Sequence, residues 1–341
     1  MTTTTNKSRW RQALETAAWV SVVASFPVWL AAFAVVPFLP LDGSTRVAIA
    51  GACIAAGEAL FWGGGIVLGP SLMARFRAPK VTTGASYAGK RVVVVGAAGG
   101  LGTSIVQALV REGADVVALV RDVRAIEAGP NVSVDAIDLG DAASIEAAAN
   151  RCGAVDHLVC AAGVDVRKSL LDHSVDEIDR ELDVDLRGPL LLTRAFLPQL
   201  NHNGSLALLG GFADGRLALP YYAADVAARA GLAAFVESMN RELALEGASQ
   251  RLTFVCPAPA DTNAERPHAA LWLKMGTPLV APAVVANFVL QALLQRKNRA
   301  VMGWSTRALA WVNAMSPAVA DLLIVCRFGP LLKDAFSRPS R

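Results

Sequence analysis

A β-branched run that ends in a cluster of glycines constrains this chain more than any other feature. Arg91-Val92-Val93-Val94-Val95 is apolar on both faces, as in a parallel strand covered from both sides. It runs straight into Gly96-Ala97-Ala98-Gly99-Gly100-Leu101-Gly102, and an apolar helical segment follows over residues 105–110. Strand, glycine turn and helix in that order form the context of a dinucleotide-binding turn. The glycines let the backbone reverse sharply and approach a pyrophosphate. The helix N-terminus adds amide donors and a favourable dipole for that charge.

The same alternation continues down the chain. Further strands are expected at 115–120, 132–137, 156–161, 205–209, 252–256 and 300–303, with helices at 175–200, 221–245 and 282–295 between them. Strands and helices in alternation imply an α/β fold, a doubly wound parallel sheet of the Rossmann kind, here over residues 89–303.

The remaining apolar residues are concentrated at the N-terminus. Hydrophobic residues make up 54% of the chain, and no charge occurs between Thr16 and Leu41. Residues 47–74 form a second apolar stretch, interrupted only by Glu58. Each is long enough to cross a bilayer, which takes about 20 residues as a helix. Asp42-Gly43-Ser44-Thr45 between them reads as a tight turn. Lys7, Arg9 and Arg11 precede the pair and Arg75, Arg77 and Lys80 follow it. The positive-inside bias then puts both ends, and the domain after them, in the cytoplasm. The expected layout is a cytosolic N-terminus (1–15), a transmembrane helical hairpin (16–74), a polar linker (75–88) and the Rossmann domain. A cleaved signal peptide fits less well, because the first run is too long and a second follows. Glu58 is the one intramembrane acid and so a candidate functional group, or a group bonded within a helix contact. Gly63, Gly64, Gly65 and Gly69 offer small surfaces for helix packing. At the other end, residues 304–332 carry amphipathic periodicity with Trp304 and Trp311. They suit a membrane interface or packing on the domain, ahead of a basic tail at 333–341.

Composition excludes other classes. A net charge of +3 leaves no nucleic-acid footprint. The five cysteines are scattered without a paired motif, and the four histidines lie far apart, so no metal site or disulfide framework is expected. The main domain suits a reducing compartment.

The spacing Gly96-x-x-x-Gly100-x-Gly102 resembles the short-chain dehydrogenase/reductase family, and the resemblance extends over about residues 86–303. Asp138-Leu139 matches the family's adenine-contacting pair. Ala162-Gly163 retains the end of its Asn-Asn-Ala-Gly element, and Pro257 with Thr262 stands where the family has Pro-Gly and a nearby Thr. The resemblance implies that Gly96, Gly100, Leu101, Gly102, Asp138, Leu139, Ala162, Gly163, Pro257 and Thr262 contact a dinucleotide. The second strand ends in Val120-Arg121 with no carboxylate at its tip, which favours NADP(H) over NAD(H).

The catalytic positions depart from the family. Tyr222 stands where its proton-transferring tyrosine belongs, but Val226 replaces the lysine four residues on. Gly211 replaces the serine and Asp185 the asparagine. Residues 217–246 contain no lysine, so no shift of alignment restores the pair. An unassisted tyrosine titrates near ~10, far from the neutral range in which it would work. Arg229, three residues past Val226, is expected to face solvent. Three functions remain open. The first is a membrane-anchored NADP(H)-binding protein with impaired or absent catalysis, a pseudoenzyme. The second is an oxidoreductase with a rearranged site, acting on a lipophilic carbonyl or alcohol from the bilayer. The third is a membrane scaffold or regulatory subunit. Membrane lipid and a homo- or hetero-dimer through the two long helices are the expected partners.

Overall fold

The computed structural model describes residues 3–76, 87–212 and 216–337. The chain divides into two compact units, Met1–Thr82 and Thr83–Arg341.

The first unit is a pair of long helices, α1 (Thr3–Ala34) and α2 (Gly43–Phe76). Thr16–Phe38, which runs from α1 through a 3-10 turn at Val36–Phe38, and Gly43–Leu68 within α2 are long and apolar enough to cross a membrane. Helix α1 starts at Thr3, so the residues expected to precede the first span continue it, and it runs through Pro27 without a break. Asp42 closes the turn by accepting bonds from the Ser44 and Thr45 hydroxyls. Of the expected small residues, Gly64 makes the close contact: a Cβ there would lie 2.6 Å from the Ala18 carbonyl oxygen. Gly57 does the same against the Trp29 ring, whereas Gly63 and Gly65 face open space. The surroundings of Gly69 and of Lys7, Arg9, Arg11 and Arg75 lie outside what the structure describes, as do Arg77, Lys80 and most of the linker. Glu58 accepts a 2.7 Å bond from the Trp62 indole one turn along its own helix.

The second unit is a seven-stranded parallel sheet in the order β3-β2-β1-β4-β5-β6-β7. The strands are β1 (Arg91–Val95), β2 (Asp115–Val120), β3 (Val132–Ala136), β4 (Val155–Cys160), β5 (Leu200–Leu209), β6 (Arg251–Cys256) and β7 (Arg299–Val301). Side chains alternate across each strand. Val92 and Val94 pack with Ile105, Leu109, Val289 and Leu293 from α3 (Gly100–Arg111) and α9 (Pro282–Leu294). Val93 and Val95 face the opposite layer with Ile145, Leu192, Phe196, Leu232 and Val236. That layer is α4 (Ala142–Cys152), α6 (Gly188–Phe196) and α7 (Ala223–Leu245). The all-parallel sheet, both faces covered, accounts for the continuous apolar strands.

Two helices differ from expectation. The long helix expected at 175–200 is α5 (Val175–Leu182), a π-helical turn (Asp183–Arg187), α6 and a short 3-10 turn (Leu197–Gln199), after which β5 starts at Leu200. Pro198 ends the helical run by removing an amide donor. The C-terminal segment forms α10 (Trp304–Met315), α11 (Pro317–Leu323) and α12 (Gly329–Phe336) in the same compact unit as the sheet. Their inner residues Ala310, Ala320, Ile324, Leu332 and Phe336 are buried against Leu271, Trp272 and Met275 around α8 (Ala269–Lys274). A helix thus runs to Phe336 where a tail was expected from residue 333, because Leu332 and Phe336 are apolar anchors one turn apart.

Candidate active site

All the singled-out loop residues lie just past the carboxyl ends of strands, where open α/β sheets bind ligands. Gly96 follows β1, Arg121 follows β2, Asp138 and Leu139 follow β3, Ala162 and Gly163 follow β4, and Pro257 follows β6. A cavity of about 430 Å³ lies over the first four strands, lined by Gly96, Arg121, Asp138, Leu139, Ala162 and Gly163. A second, of about 610 Å³, is lined by Gly100, Leu101, Tyr222, Pro257 and Thr262. Gly102 lines neither. A Cβ on it would come 2.1 Å from the Gly96 carbonyl oxygen, so its role is to let α3 begin directly against the turn.

Gly96 has φ +77°, and a Cβ there would meet the Ala162 amide nitrogen at 2.6 Å. Both facts demand glycine. At Gly100 a Cβ would strike the Thr262 methyl at 2.8 Å, so Thr262 closes over the start of α3. Asp138 accepts from the Gly140 amide at 2.9 Å, which holds its turn. Arg121 is exposed at the strand tip. The neighbouring Asp122 carboxylate is engaged by the Arg124 guanidinium at 2.9 Å from both nitrogens.

The second cavity is built from charged side chains. Tyr222 caps α7 and is 6% exposed, and its hydroxyl has no hydrogen-bond partner among the described residues. Its neighbour Tyr221 holds φ +70°, a conformation unusual for a bulky residue and typical of functional loops. Burial pushes the Tyr222 phenol above its ordinary value, and the nearby Arg167 opposes this only in part. Arg167 lies over the face of the ring, its guanidinium carbon 5.4 Å from the centroid, and the Phe336 ring meets it edge-on at 5.7 Å. Arg167 also stacks on Trp272 at 5.7 Å and bonds the carboxylates of Asp165 (2.7 Å) and Glu265 (3.0 Å). Trp272 donates to the same Glu265 at 2.7 Å.

Arg229 does not face solvent. Its side chain is buried, and it donates to the Asp225 carboxylate (3.0 Å) and the Leu209 carbonyl (2.9 Å). Its other terminal nitrogen lies 3.2 Å from Asp185. Solvent exposure was the wrong expectation because two carboxylates, one of them on the π-helical turn, supply the partners that burial requires. Asp185 also accepts from the Val164 amide at 3.1 Å. Burial pushes Asp185 up to about 7, with Arg229 pulling the other way, and burial likewise raises Asp225. The groups that raise Tyr222 besides burial are the carboxylates of Asp165, Glu265 and Asp225. At the serine position Gly211 has φ +69°, so a serine there would strain the backbone as well as add a hydroxyl. Val226 packs among the apolar residues around Trp272.

Sequence reading missed Arg167, Asp165, Glu265 and Trp272. The available signal was position: Asp165 and Arg167 follow directly on Ala162-Gly163, past the carboxyl end of β4.

Residues 90–270 match the model of the short chain dehydrogenases. The chain belongs to the short-chain dehydrogenase/reductase family. It is 30% identical over 226 residues to D-xylose 1-dehydrogenase of Caulobacter vibrioides, covering 64% of this chain and 88% of that one. Ketoacyl reductase HetN of a Nostoc species is 24% identical over 259 residues, covering 68% and 87%. A short-chain dehydrogenase from Burkholderia cenocepacia, solved in complex with NADP, superposes with a TM-score of 0.62 at 27% identity, covering 70% of this chain and 99% of that one. By homology the second unit is that of an NAD(P)-dependent oxidoreductase.

Proposed function

We propose that this chain is a membrane-tethered, NADP(H)-binding member of its family in which proton transfer at Tyr222 is disabled, so that hydride transfer is slow or lost. The surroundings of Tyr222 carry this reading. A bound nicotinamide would supply hydride, but the substrate oxygen also needs a proton, and positioned acid–base catalysis is worth about 10²–10⁴-fold. Here the phenol is buried without a partner, its pKa is raised, and Val226 stands in place of an ammonium. The two nearby guanidiniums are committed elsewhere, Arg229 to Asp185 and Asp225, Arg167 to Asp165 and Glu265. Gly211 brings no hydroxyl where the family has serine, which removes a donor to the developing oxyanion.

The binding half supports a retained cofactor. The glycine turn leaves backbone room for a pyrophosphate at the α3 N-terminus, and Gly96, Asp138, Leu139, Ala162 and Gly163 line one continuous cavity. Arg121 at the tip of β2 suits a 2′-phosphate, and the acid beside it, Asp122, is occupied by Arg124. The apolar lengths of α1 and α2 support the tether.

A second reading, turnover of a lipophilic carbonyl through a rearranged site, is favoured by the walls of the larger cavity, which include Phe212, Leu219 and Trp272 beside Tyr222. One experiment separates the two. Full-length protein in nanodiscs is titrated with NADPH and NADH by fluorescence, then assayed on a panel of apolar ketones and aldehydes. Tight NADPH binding with turnover at least 10³-fold below an ordinary enzyme's rate of about 10 s⁻¹ supports the first reading. Ordinary turnover that Tyr222→Phe abolishes would overturn it.

A further inference from the structure

Helices α10 and α11 have two unlike faces. The inner one packs Ala310 and Ala320, with Ile324 of the π-helical turn that follows (Ile324–Phe328), into the cluster that holds Tyr222 and Trp272. The outer one is uncovered among the described residues and mostly apolar, interrupted by Ser305 and Asp321. Trp304, Trp311 and Met315 are 71%, 55% and 76% exposed, at a spacing that puts them in one stripe along α10. On α11 Val319, Leu322 and Leu323 form a second stripe at i, i+3 and i+4. With Val325, seven large apolar side chains are exposed within residues 304–325, and only seven more are scattered through residues 87–303. Scattered apolar residues are ordinary on a protein surface; a concentration of this kind marks an interaction site.

We propose that the outer faces of α10 and α11 seat on a phospholipid surface at headgroup depth. The inference rests on the reading of α1 and α2 as membrane spans. A further crossing does not fit: α10 has 12 residues where about 20 are needed, and the helical run from α11 through α12 carries Asp321, Arg327, Lys333 and Asp334. The chemistry suits an interface: two tryptophans lead the stripe, the Arg216 guanidinium lies 5.6 Å over the Trp311 ring, and Arg307 is on the same helix. Indole rings beside basic groups settle where apolar and aqueous layers meet. A lipid surface is also the apolar surface this chain meets at the highest effective concentration. Only residues 77–90 join α2 to β1, a reach of at most about 50 Å when fully extended. The lipid-facing helices would then form the outer layer behind Tyr222, whose ring already touches Phe336 of α12.

The test uses the full chain in phosphatidylcholine–phosphatidylglycerol vesicles doped with a phospholipid carrying a photoactivatable group on its acyl chain. After irradiation, adducts are mapped by mass spectrometry. Adducts are expected in residues 304–325 as well as 16–68. They should fall at least fivefold in the first segment alone for the double variant Trp311→Glu, Leu322→Glu, whose exposed sites leave the thermal midpoint unchanged. Adducts in 16–68 with none in 304–325 would overturn the surface while leaving the tether. Adducts in 304–325 with none in 16–68 would keep the surface and remove the tether. Chain-to-chain cross-links through 304–325 in place of lipid adducts would assign the face to a second copy and overturn the proposal.

Discussion

The two cavities at the carboxyl edge of the sheet meet at the glycine turn but are held by different physics. The one over β1 to β4 is shaped by backbone: a positive φ at Gly96, a close approach at Gly102, a loop bond at Asp138. The one around Tyr222 is shaped by side-chain charge, with Arg229 between Asp185 and Asp225 and Arg167 between Asp165 and Glu265. Backbone geometry of this kind admits one residue type, so the binding half keeps the family's pattern. Charged side chains can be exchanged as a set provided each buried charge finds a partner. A lysine can then give way to valine while an arginine one turn on takes up a new network. On the proposed reading, binding and chemistry would diverge separately within one site.

The comparison is tested most severely at Arg229. Arg229→Met would leave two buried carboxylates without their cation, and breaking such a pair costs about 3–5 kcal/mol. Thermal and urea unfolding should show that loss, with the larger cavity affected first. If the variant is as stable as the parent, the charge network does not hold this half together. On the backbone side, Gly102→Ala drives a methyl to 2.1 Å from the Gly96 carbonyl. Overpacking of this kind costs about 1–3 kcal/mol, and NADPH affinity should drop at least tenfold as α3 is pushed off the turn. Unchanged affinity by calorimetry would mean the turn does not hold the cofactor.

Acid titration reads the charged half as a difference between parent and variant, because His157, pushed down to about 4 by burial, titrates with the opposite sign over the same range. Asp185, pushed up to about 7 by burial against an ordinary value of 3.8, binds its proton more tightly in the folded state than in the unfolded one. Between about pH 4 and pH 7 this carboxyl therefore holds more of its proton in the folded state, and its contribution to stability falls as pH rises, by at most about 1.4 kcal/mol per pH unit. Below pH 4 both states are protonated and the contribution is full. Relative to the parent, Asp185→Asn should remove that falling contribution over this window. An unchanged slope would place the titration elsewhere, Asp225 being the next group raised by burial.

How much of this was legible beforehand follows the same division. The strands were, because a sheet covered on both faces needs apolar runs and those are local. The glycine turn was, because a left-handed φ and a backbone contact leave a local mark. The inward course of Arg229 was not, since its partner Asp185 is 44 residues away on a π-helical turn that no periodicity announces. Arg167 and Glu265 lie 98 residues apart, and only folding unites them over the Tyr222 ring. In the C-terminal helices the amphipathic period was readable. Which stripe would be buried was set by Trp272 and its neighbours on α8, elsewhere in the chain.

A smaller effect is expected at the strand tip. Arg121→Glu should weaken NADPH binding roughly tenfold and NADH binding little, since it removes a cation suited to the 2′-phosphate and supplies an acid for the ribose hydroxyls. Equal losses for both dinucleotides would show that Arg121 does not discriminate between them.

The least effect is expected where the family would show the greatest. The Tyr222 hydroxyl is buried and bonds nothing among the described residues, while its ring keeps contacts with Arg167 and Phe336 that do not involve the oxygen. A buried polar group without a partner costs about 1–3 kcal/mol. Tyr222→Phe should therefore leave NADPH binding unchanged and stability equal or raised by about 1 kcal/mol. Where the phenol delivers the proton, the same change removes most of the turnover. A fall of 10²-fold or more in any carbonyl reduction by this chain would mean that a cation reaches the hydroxyl when ligands are bound, and the two halves of the site would have to be read as still working together.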